Sequence, residues 1–512
     1  MVRRIATLFA AALLAGCAAV GPNYRLPEAA AVRAPEAQGA FLSGGTAATA
    51  EPLPDHWWTL YDDPVLDGLV ERALAANTDL RVAEANLDRS LALLDQREAG
   101  REIQGSANAE TSWAQRSAEA ELQHVKPPAR QIYNAGLGVS YDLDLFGRLR
   151  RGIEAASADA DAAVAARDLV RVNVAAETAR AYADICNAGY QIDVLGRTIA
   201  LQERGVGLTR TLIDHGRAAP YELDRRRSLL ETSRARLPRL VARQRNALLR
   251  VTALTGAMPA QADAGLLQCR RPLALARAVP VGDGEALLRR RPDIRMAERR
   301  LAATTARIGV ATADLYPSIR LGASIGSTGA AADALSPLTN RFGIGPLIDW
   351  TLNRHAARAR IAATEAQSRA DLAAFDGVVL AALREVETAL VGYAAGLDRQ
   401  ASLDRARDDA ARVAAQTAQL RRGGRIAELP ALEAERDQVA AEQAAAEGRA
   451  MLNEEQIALF LALGGGWAME AAAIPKPPGG SRTGRARGRA CAPPRCRARG
   501  RGRGGISRRA RP

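Results

Sequence analysis

Residues 132–148 read IYNAGLGVSYDLDLFGR, and this stretch decides the fold of the chain. From Tyr133 to Leu145 the odd-numbered side chains are apolar or aromatic, whereas the even-numbered ones from Asn134 to Asp144 are polar or small. Alternation with a period of two is typical of a β-strand with two unlike faces. Alternating segments of about ten residues with aromatic side chains near their ends are typical of barrel strands that face lipid outside and water inside. We therefore predict such a strand here.

The same alternation recurs in three further segments, residues 105–114, 318–326 and 341–350. A soluble sheet with one buried face is the alternative, but no other segment supplies a globular core to cover these faces. We therefore favour a membrane barrel. Four strands are too few to enclose a channel, and open sheet edges cannot lie in lipid. Several copies of the chain must then contribute to one barrel.

The second half of the chain repeats the first. Three collinear pairs of segments match: 77–84 with 291–298, 146–148 with 352–354, and 216–217 with 424–425. Matches in the same order at similar offsets indicate an internal duplication. Each half is predicted to run helix, strand, strand, long helix, turn and helix.

A long helix is predicted after each pair of strands. Residues 148–214 and 354–421 contain no proline, and at 1.5 Å per residue each helix would reach about 100 Å. Apolar side chains recur at spacings of three and four, typical of coiled coils, at Leu383, Val386, Leu390, Tyr393 and Leu397. Helices of this length reach across the periplasm. The glycine turns that follow them, at Gly216 and at Gly423 and Gly424, are therefore the predicted periplasmic tips.

The N-terminus directs the chain to the cell envelope. Residues 1–16 have a cationic start and an apolar run of about ten residues, which is typical of a cleaved signal peptide and too short to span a bilayer. Residues 14–17, LAGC, resemble the bacterial lipobox, so Cys17 is predicted to be diacylated and to begin a lipid-anchored linker, residues 17–52. An ordinary secretory signal that contains a cysteine is the alternative. Ala18 is not acidic, which in similar lipoproteins permits export to the outer membrane.

The excess positive charge lies in a C-terminal tail. Residues 471–512 contain Lys476, twelve arginines and no acidic residue, a charge equal to the +13 of the whole chain. An arginine–glycine arm that binds RNA is one interpretation, but an exported protein does not meet RNA, and we predict no nucleic-acid partner. We favour an aberrant and disordered C-terminus, residues 469–512, with the composition that a frameshift in a GC-rich gene yields.

Catalytic and metal sites are not expected. The sequence has no GxSxG, HExxH or phosphate-loop motif, so we predict neither enzyme activity nor a cofactor. The four histidines are scattered, and no cysteine–histidine spacing predicts a metal site. Outside the lipobox and the tail, Cys186 and Cys269 cannot be paired from sequence alone. The helical context of Cys186 favours a packing role.

Four motifs carry a resemblance to a known family. Residues 57–66 (WWTLYDDPVL), 77–80 (NTDL), 141–148 (YDLDLFGR) and 290–294 (RRPDI) resemble motifs of the TolC-like outer-membrane efflux family, in its NodT-type lipoprotein branch. The resemblance divides the chain into a first repeat at 53–262, a linker at 263–284 and a second repeat at 285–468. It implies an α+β membrane protein: a homotrimer with one twelve-stranded β-barrel, four strands per chain, continued by a long periplasmic α-helical barrel.

The resemblance also implies a function and partners. The chain would be the lipid-anchored, passive outer-membrane duct of a tripartite pump that exports small toxic compounds, as in multidrug resistance. Its partners would be outer-membrane lipid, a periplasmic membrane-fusion adaptor and an inner-membrane pump of the resistance-nodulation-division type. Two other functions remain open, an exit duct for type I protein secretion and a structural envelope lipoprotein.

In the family, acidic residues just beyond the tip glycines line a narrow aperture. The candidates that this implies here are Glu222 in the first repeat and Glu433 in the second. Pro430 stands where the family often has aspartate, which would make the ring less acidic. The alternative role for both glutamates is that of an exposed carboxylate near a helix start, where the helix dipole favours it.

Overall fold

The computed structural model describes residues 19–465, apart from 44, 46, 47, 116, 120–123, 276 and 335. The main helices are α1 (Pro64–Ala76), α2 (Thr78–Glu98), α3 (Arg148–Asp214), α4 (Pro220–Leu254), α5 (Gly284–Arg290), α6 (Pro292–Ala313), α7 (Arg354–Arg422) and α8 (Glu428–Ala462). The strands of the main sheet are β1 (Gln104–Ala114), β2 (Arg130–Asp142), β3 (Ser318–Ala330) and β4 (Asn340–Asp349). The predicted element order therefore recurs in both halves.

Short elements connect these. A one-turn helix covers Pro35–Gln38, and a small parallel pair of strands joins Ala48–Thr49 to Val279–Pro280. The 3-10 turns are Ala31–Arg33, Trp57–Tyr61, Ala99–Arg101, Pro259–Gln261, Ala264–Gln268, Ala331–Asp333 and Pro337–Thr339.

The four main strands form one antiparallel sheet in the order β1–β2–β3–β4. Leu137 of β2 lies opposite Ala107 of β1 and Ile325 of β3. Ile325 in turn lies opposite Phe342 of β4. Because side chains directly opposite each other project from the same face, the apolar sets predicted from the four segments form one continuous face.

The strand β2 ends earlier than the sequence predicts, at Asp142 and not at Leu145. Asp144 has a positive φ of 41°, and its carboxylate accepts the backbone N–H groups of Leu149 at 2.7 Å and Arg150 at 2.9 Å. These donors lie in the first turn of α3 and have no partner within the helix. The strand stops because the last aspartate of the alternating pattern caps the helix that follows.

The helix α3 is central. It packs against α2, α4, α6 and α8, whereas α7 packs against α6 and α8. Buried alanines of α3, such as Ala175, Ala179 and Ala183, allow the neighbouring helices to approach closely. The largest hydrophobic core surrounds this part of α3, and in it Trp57 stacks on Phe460 with ring centroids 4.5 Å apart. None of the helices among the described residues has the length and hydrophobicity needed to cross a membrane.

A disulfide between Cys186 and Cys269 fastens the segment between α4 and α5 to α3. Cys186 is buried, as its helical context predicts, and it is also bonded to Cys269, a pairing that the sequence left open. Gly189, on the same face of α3, leaves no room for a side chain, because a Cβ there would lie 2.1 Å from the carbonyl oxygen of Cys269. Gln244 of α4 also donates a hydrogen bond of 3.1 Å to the carbonyl oxygen of Leu267. This segment thus lies directly on α3 and α4.

An N-terminal strap, residues 19–43, contacts the junction of β2 and α3 and then runs along α7. Its backbone N–H groups donate to three later residues: Val20 to the Phe146 carbonyl (3.1 Å), Ala31 to the Asp376 carboxylate (2.8 Å) and Leu42 to the Glu387 carboxylate (2.7 Å). The first contact is at the junction of β2 and α3, and the other two are on α7. We call the end of the sheet at which β2 leads into α3 and β4 leads into α7 its foot. The strap therefore extends from the foot of the sheet along part of α7.

Candidate functional site in the sheet and at the helix tips

One face of the sheet is apolar and uncovered within the chain. Five large side chains on it are between 59% and 85% exposed: Trp113, Leu137, Ile325, Phe342 and Ile344. Leaving a large apolar side chain in water costs roughly 1.5–3 kcal/mol relative to burying it. A face with five such side chains is suited to contact with lipid.

The opposite face of the sheet is polar and small. Asn134 Oδ1 accepts hydrogen bonds from the Thr328 hydroxyl and from Arg341 Nη2, both at 2.8 Å. Gly136 and Gly326 lie beneath the Arg341 guanidinium, and a Cβ at either position would lie 3.2 Å from it. This face is suited to water, as the alternating pattern predicts.

The sheet has two open edges. In the described part of the chain, β1 pairs with β2 alone and β4 pairs with β3 alone. The outer side of each edge strand therefore presents a row of backbone N–H and C=O groups to its surroundings. In hydrocarbon each unpaired group costs several kcal/mol. One copy of this sheet is therefore an incomplete membrane structure.

Both long helices end in the same type of turn. At the end of α3, Gly216 has a φ of 69° and the Arg217 N–H donates to the Leu212 carbonyl at 2.7 Å. At the end of α7, Gly424 has a φ of 67°, and Arg425 makes the equivalent bond at 2.9 Å. This pattern is the Schellman motif, in which a left-handed residue ends the helix. Glycine is required there because other residues rarely adopt a positive φ.

Gly423, the third predicted tip residue, differs from the other two. Its φ is −81°. Gly423 directly follows the last residue of α7, just as His215 directly follows the last residue of α3. A side chain is therefore compatible with the backbone at Gly423 but strained at Gly216 or Gly424. The tip turns thus contain one obligatory glycine each.

The two candidate aperture glutamates lie just beyond these turns. Glu222 is the third residue of α4 and is half-buried, whereas Glu433 is the sixth residue of α8 and is exposed. When Gly216 is aligned with Gly424, Glu433 has Arg225 as its counterpart in the first repeat, so the repeats present their carboxylates at different positions. Among the described residues, no side-chain hydrogen bond or ion pair engages either carboxylate, and no group of three or more potential metal ligands occurs.

Arg291 of the RRPD motif has a role that sequence reasoning missed. Its guanidinium is 8% exposed and donates to the Ala462 carbonyl at 2.7 Å, to Asp293 at 2.6 Å and to Glu385 at 2.9 Å. Burial alone lowers the pKa of Arg291, but the two carboxylates more than offset it, so the pKa is raised and the group stays charged. Arg291 thus joins the start of α6 to α7 and to the end of α8. The motif was the only signal of this role in the sequence, because two of the partners are remote along the chain.

The predicted lipidation site, Cys17, lies outside the described residues. The first described residue, Ala19, lies against the foot of the sheet, since a Cβ on Gly147 would lie 2.5 Å from the Ala19 Cβ. The adjoining Phe146 ring stacks on Tyr316 with centroids 4.6 Å apart. The strap therefore begins beside the stacked rings of Phe146 and Tyr316 at the foot of the sheet.

A sheet with one lipid-suited face, joined to helices of 67 and 69 residues, defines the subunit of an outer-membrane channel. The chain belongs to the outer membrane efflux protein family, whose model matches residues 69–257 and 284–465. The family predicted from the sequence motifs is thereby confirmed. So is the prediction of an efflux function at the outer membrane.

Individual relatives agree with this family. The chain is similar to the toluene efflux pump outer membrane protein TtgC of Pseudomonas putida, 29% identical over 479 residues that cover 89% of this chain and 94% of that protein. It is also similar to nodulation protein T of Rhizobium leguminosarum bv. trifolii, 28% identical over 402 residues, 76% of this chain and 81% of that protein.

Solved structures of outer-membrane channels have the same fold. The channel OprN is 33% identical and superposes with a TM-score of 0.78, covering 88% of this chain and 99% of that one. The open state of the MtrE channel of Neisseria gonorrhoeae is 25% identical, with a TM-score of 0.75 and the same coverage of both chains. These likenesses confirm the predicted fold class.

Proposed function

We propose that three copies of the chain close one twelve-stranded barrel in the outer membrane, and that their paired helices continue it as a tunnel through the periplasm. The observation that carries this proposal is the pair of open sheet edges. If β4 of one copy pairs with β1 of the next, every backbone group of the sheet is satisfied, as a membrane requires. A barrel of eight strands is filled by its own side chains, and larger barrels leave an aqueous passage.

The helix α7 supports the same assembly. It carries exposed aliphatic side chains at Leu380, Val391, Val413 and Leu420. At 100° per residue these four lie within roughly 60° of one another around the helix. An exposed apolar stripe that runs along a helix is suited to packing against another helix, and the next copy of the chain supplies one.

A lipid anchor at Cys17 completes the proposed attachment to the membrane. The strap brings Ala19 to the foot of the sheet, beside Gly147. An acyl chain carried two residues upstream of Ala19 would reach the same bilayer that the apolar face of the sheet enters. The anchor and the barrel would then act on one membrane without straining the strap.

The duct is proposed to work passively as the outer part of a tripartite pump. A periplasmic membrane-fusion adaptor and an inner-membrane pump of the resistance-nodulation-division type would supply the substrate and the energy. The relative TtgC is a toluene efflux pump protein, and we propose small toxic compounds as the cargo of this chain. Glu222 and Glu433 are proposed to line the aperture where the tunnel narrows.

The test is drug susceptibility in a strain deleted for this chain and for redundant ducts. The strain is complemented with the full chain, with a chain that lacks residues 471–512, and with Cys17→Ala. Growth is measured against dyes, detergents and antibiotics, and native mass spectrometry of the detergent-solubilised chain gives the number of copies. We expect hypersensitivity in the deletion strain, rescue by the first two chains and a trimer mass.

Different failures would have different meanings. Unchanged susceptibility with a trimer mass would exclude efflux of these compounds and favour protein secretion. A monomer mass with unchanged susceptibility would favour a structural lipoprotein. Full rescue by Cys17→Ala would mean that the barrel alone holds the chain in the membrane.

A further inference from the structure

The foot of β4 carries an exposed aromatic and basic surface. Trp350 directly follows the strand and continues its apolar face, and it is 46% exposed. Its indole Nε1 donates to the Leu315 carbonyl at 3.2 Å, which fixes the ring. The guanidinium of Arg354 lies over the ring, 5.8 Å from its centroid. Leu352 between them is 75% exposed. The end of the lipid-suited face thus passes directly into a cationic surface.

Arg358 extends this surface, because it lies one helical turn after Arg354 on the same side of α7. Both are exposed. Among the described residues, neither side chain makes an ion pair or a hydrogen bond. The first turn of α7 contains no acidic residue. The positive end of the helix dipole lies at the same place, so the dipole does not compensate the arginines either. Two arginines at this place therefore lack a compensating charge among the residues that the structure describes.

The first repeat is different at the same place. The arginines at the start of α3 are engaged by carboxylates of the chain itself: Arg148 with Asp314 (3.7 Å), Arg150 with Asp144 (3.6 Å) and Arg151 with Glu154 (2.7 Å). Both long helices thus have basic starts. At the start of α7, Arg360 pairs with Asp314, whereas Arg354 and Arg358 have no carboxylate partner among the described residues. This contrast separates Arg354 and Arg358 from an ordinary solvated basic surface.

We propose that Arg354 and Arg358, with Trp350, bind the phosphate of an anionic phospholipid in the periplasmic leaflet of the outer membrane. The proposal rests on the membrane orientation given under the proposed function, because that orientation puts the foot of β4 at the periplasmic boundary of the bilayer. Guanidinium groups match phosphate oxygens with two parallel hydrogen bonds. Tryptophan favours the same boundary because its ring is apolar and its N–H is polar. The lipid headgroup thus supplies the negative charge that the described part of the chain does not provide.

The test uses the full chain, purified in mild detergent and stripped of lipid. Phosphatidylglycerol and phosphatidylcholine with identical acyl chains are added, and bound lipid is counted by native mass spectrometry. We expect the chain to prefer phosphatidylglycerol, and Arg354→Gln with Arg358→Gln to reduce that preference about 25-fold, at roughly fivefold for each arginine near a membrane surface. Replacing both by lysine should retain part of the preference, because the charge remains.

Arg369→Gln is the matched control. Arg369 is an exposed arginine of the same helix without an ion pair among the described residues, and it lies about 22 Å further along the axis than Arg354. It should leave the lipid preference unchanged. An equal preference for both lipids in the native chain would overturn the proposal. So would loss of the oligomer in the double glutamine variant with unchanged lipid preference, which would assign the arginines to contact between copies.

The proposed lipid site and the proposed efflux function can be refuted independently of each other. A chain that selects phosphatidylglycerol but does not restore drug resistance would retain the lipid site and refute the proposed cargo. A chain that restores resistance with no lipid preference would refute the lipid site alone.

Discussion

The two long helices are nearly equal in length and very unequal in burial. Of the 67 residues of α3, 28 are buried within the chain, whereas 8 of the 69 residues of α7 are. Both occupy the same place in the repeat, between a strand and a Schellman turn. They differ in their neighbours, because α2, α4, α6 and α8 pack on α3, whereas α6, α8 and the N-terminal strap pack on α7.

This difference shows that two helices at the same place in the element order can have different environments. The helix α3 lies in the core of the chain, whereas α7 lies at its boundary. Substitutions in α3 should therefore act on the folding of one chain. Substitutions on the exposed side of α7 should act on the association of several.

The largest effect is expected from a charge placed inside α3. Ala179 is 0% exposed, so Ala179→Asp would bury an unpaired carboxylate and reduce the free energy of unfolding by about 3 kcal/mol or more. Ala395→Asp on α7 is the matched change at an exposed position and should leave the chain folded. Thermal unfolding of each purified variant, followed by circular dichroism in detergent, measures the difference. Equal losses in both variants would remove the distinction between core and boundary helix.

The disulfide should have the next largest effect. It joins Cys186 of α3 to Cys269, which lies 83 positions later in the chain. The helix α7 has Gly392 at the position equivalent to Cys186, so no disulfide can form there. Cys186→Ser with Cys269→Ser should reduce the free energy of unfolding by roughly 2–4 kcal/mol, because the unfolded chain regains conformational freedom. Thermal melting with and without a reductant tests this. Reduction should lower the melting temperature of the native chain and leave that of the double variant unchanged, and a native chain insensitive to reduction would contradict the assignment.

Substitutions in the exposed stripe on α7 should have a smaller effect on the free energy of unfolding of one chain. They should clearly reduce the association of copies. Leu380→Glu with Val391→Glu should change the free energy of unfolding of one chain by less than about 0.5 kcal/mol, since both side chains are exposed. The fraction of oligomer, measured by size exclusion with light scattering, should fall. Ala200→Glu on an exposed position of α3 is the control. An intact oligomer in the double variant would mean that this side of α7 faces water or lipid.

The smallest effect concerns a carboxylate between α7 and α8. Glu455 rests on Gly396 of α7, and its Oε2 is buried without a hydrogen-bond partner among the described residues. Burial raises the pKa of Glu455 above its usual 4.5, which Arg399 opposes and Glu454 reinforces.

The sign follows from the raised pKa. A carboxyl of this kind stabilises the fold when protonated, and the stabilisation is lost as the pH rises from about 4.5 through the folded-state pKa. Glu455→Gln should therefore raise the melting temperature slightly at pH 7 and have little effect below pH 4.5. Glu447→Gln, at an exposed position of α8, should change neither value. A gain that is independent of pH would assign the effect to packing.

Regular elements were predictable because local pattern determines them. The helix predicted at 148–214 coincides with α3, because no proline interrupts this stretch of sequence. The end of β2 was not predictable from alternation, because Asp144 continues the pattern in sequence while its backbone turns and its carboxylate caps α3. A side chain that makes a capping bond can end a strand without any change of pattern.

The candidate site divides in the same way. The turns at Gly216 and Gly424 were predictable because glycines directly follow the long helices, and both glycines have a positive φ. Their location at the periplasmic tips stays a prediction. Two contacts that join remote parts of the chain, the disulfide and the hydrogen bond of the strap to Asp376, had no local signal, because their partners are 83 and 345 residues apart. The aperture role of Glu222 and Glu433, the lipidation of Cys17 and the repeat boundaries stay predictions.

The strap imposes an order of events on biogenesis. Its bonds from Ala31 to Asp376 and from Leu42 to Glu387 each join residues 345 positions apart. Such remote contacts form late in folding, and the N-terminus is the first part of a chain to be synthesised. The segment that is synthesised first can therefore be fastened only after α7 has formed.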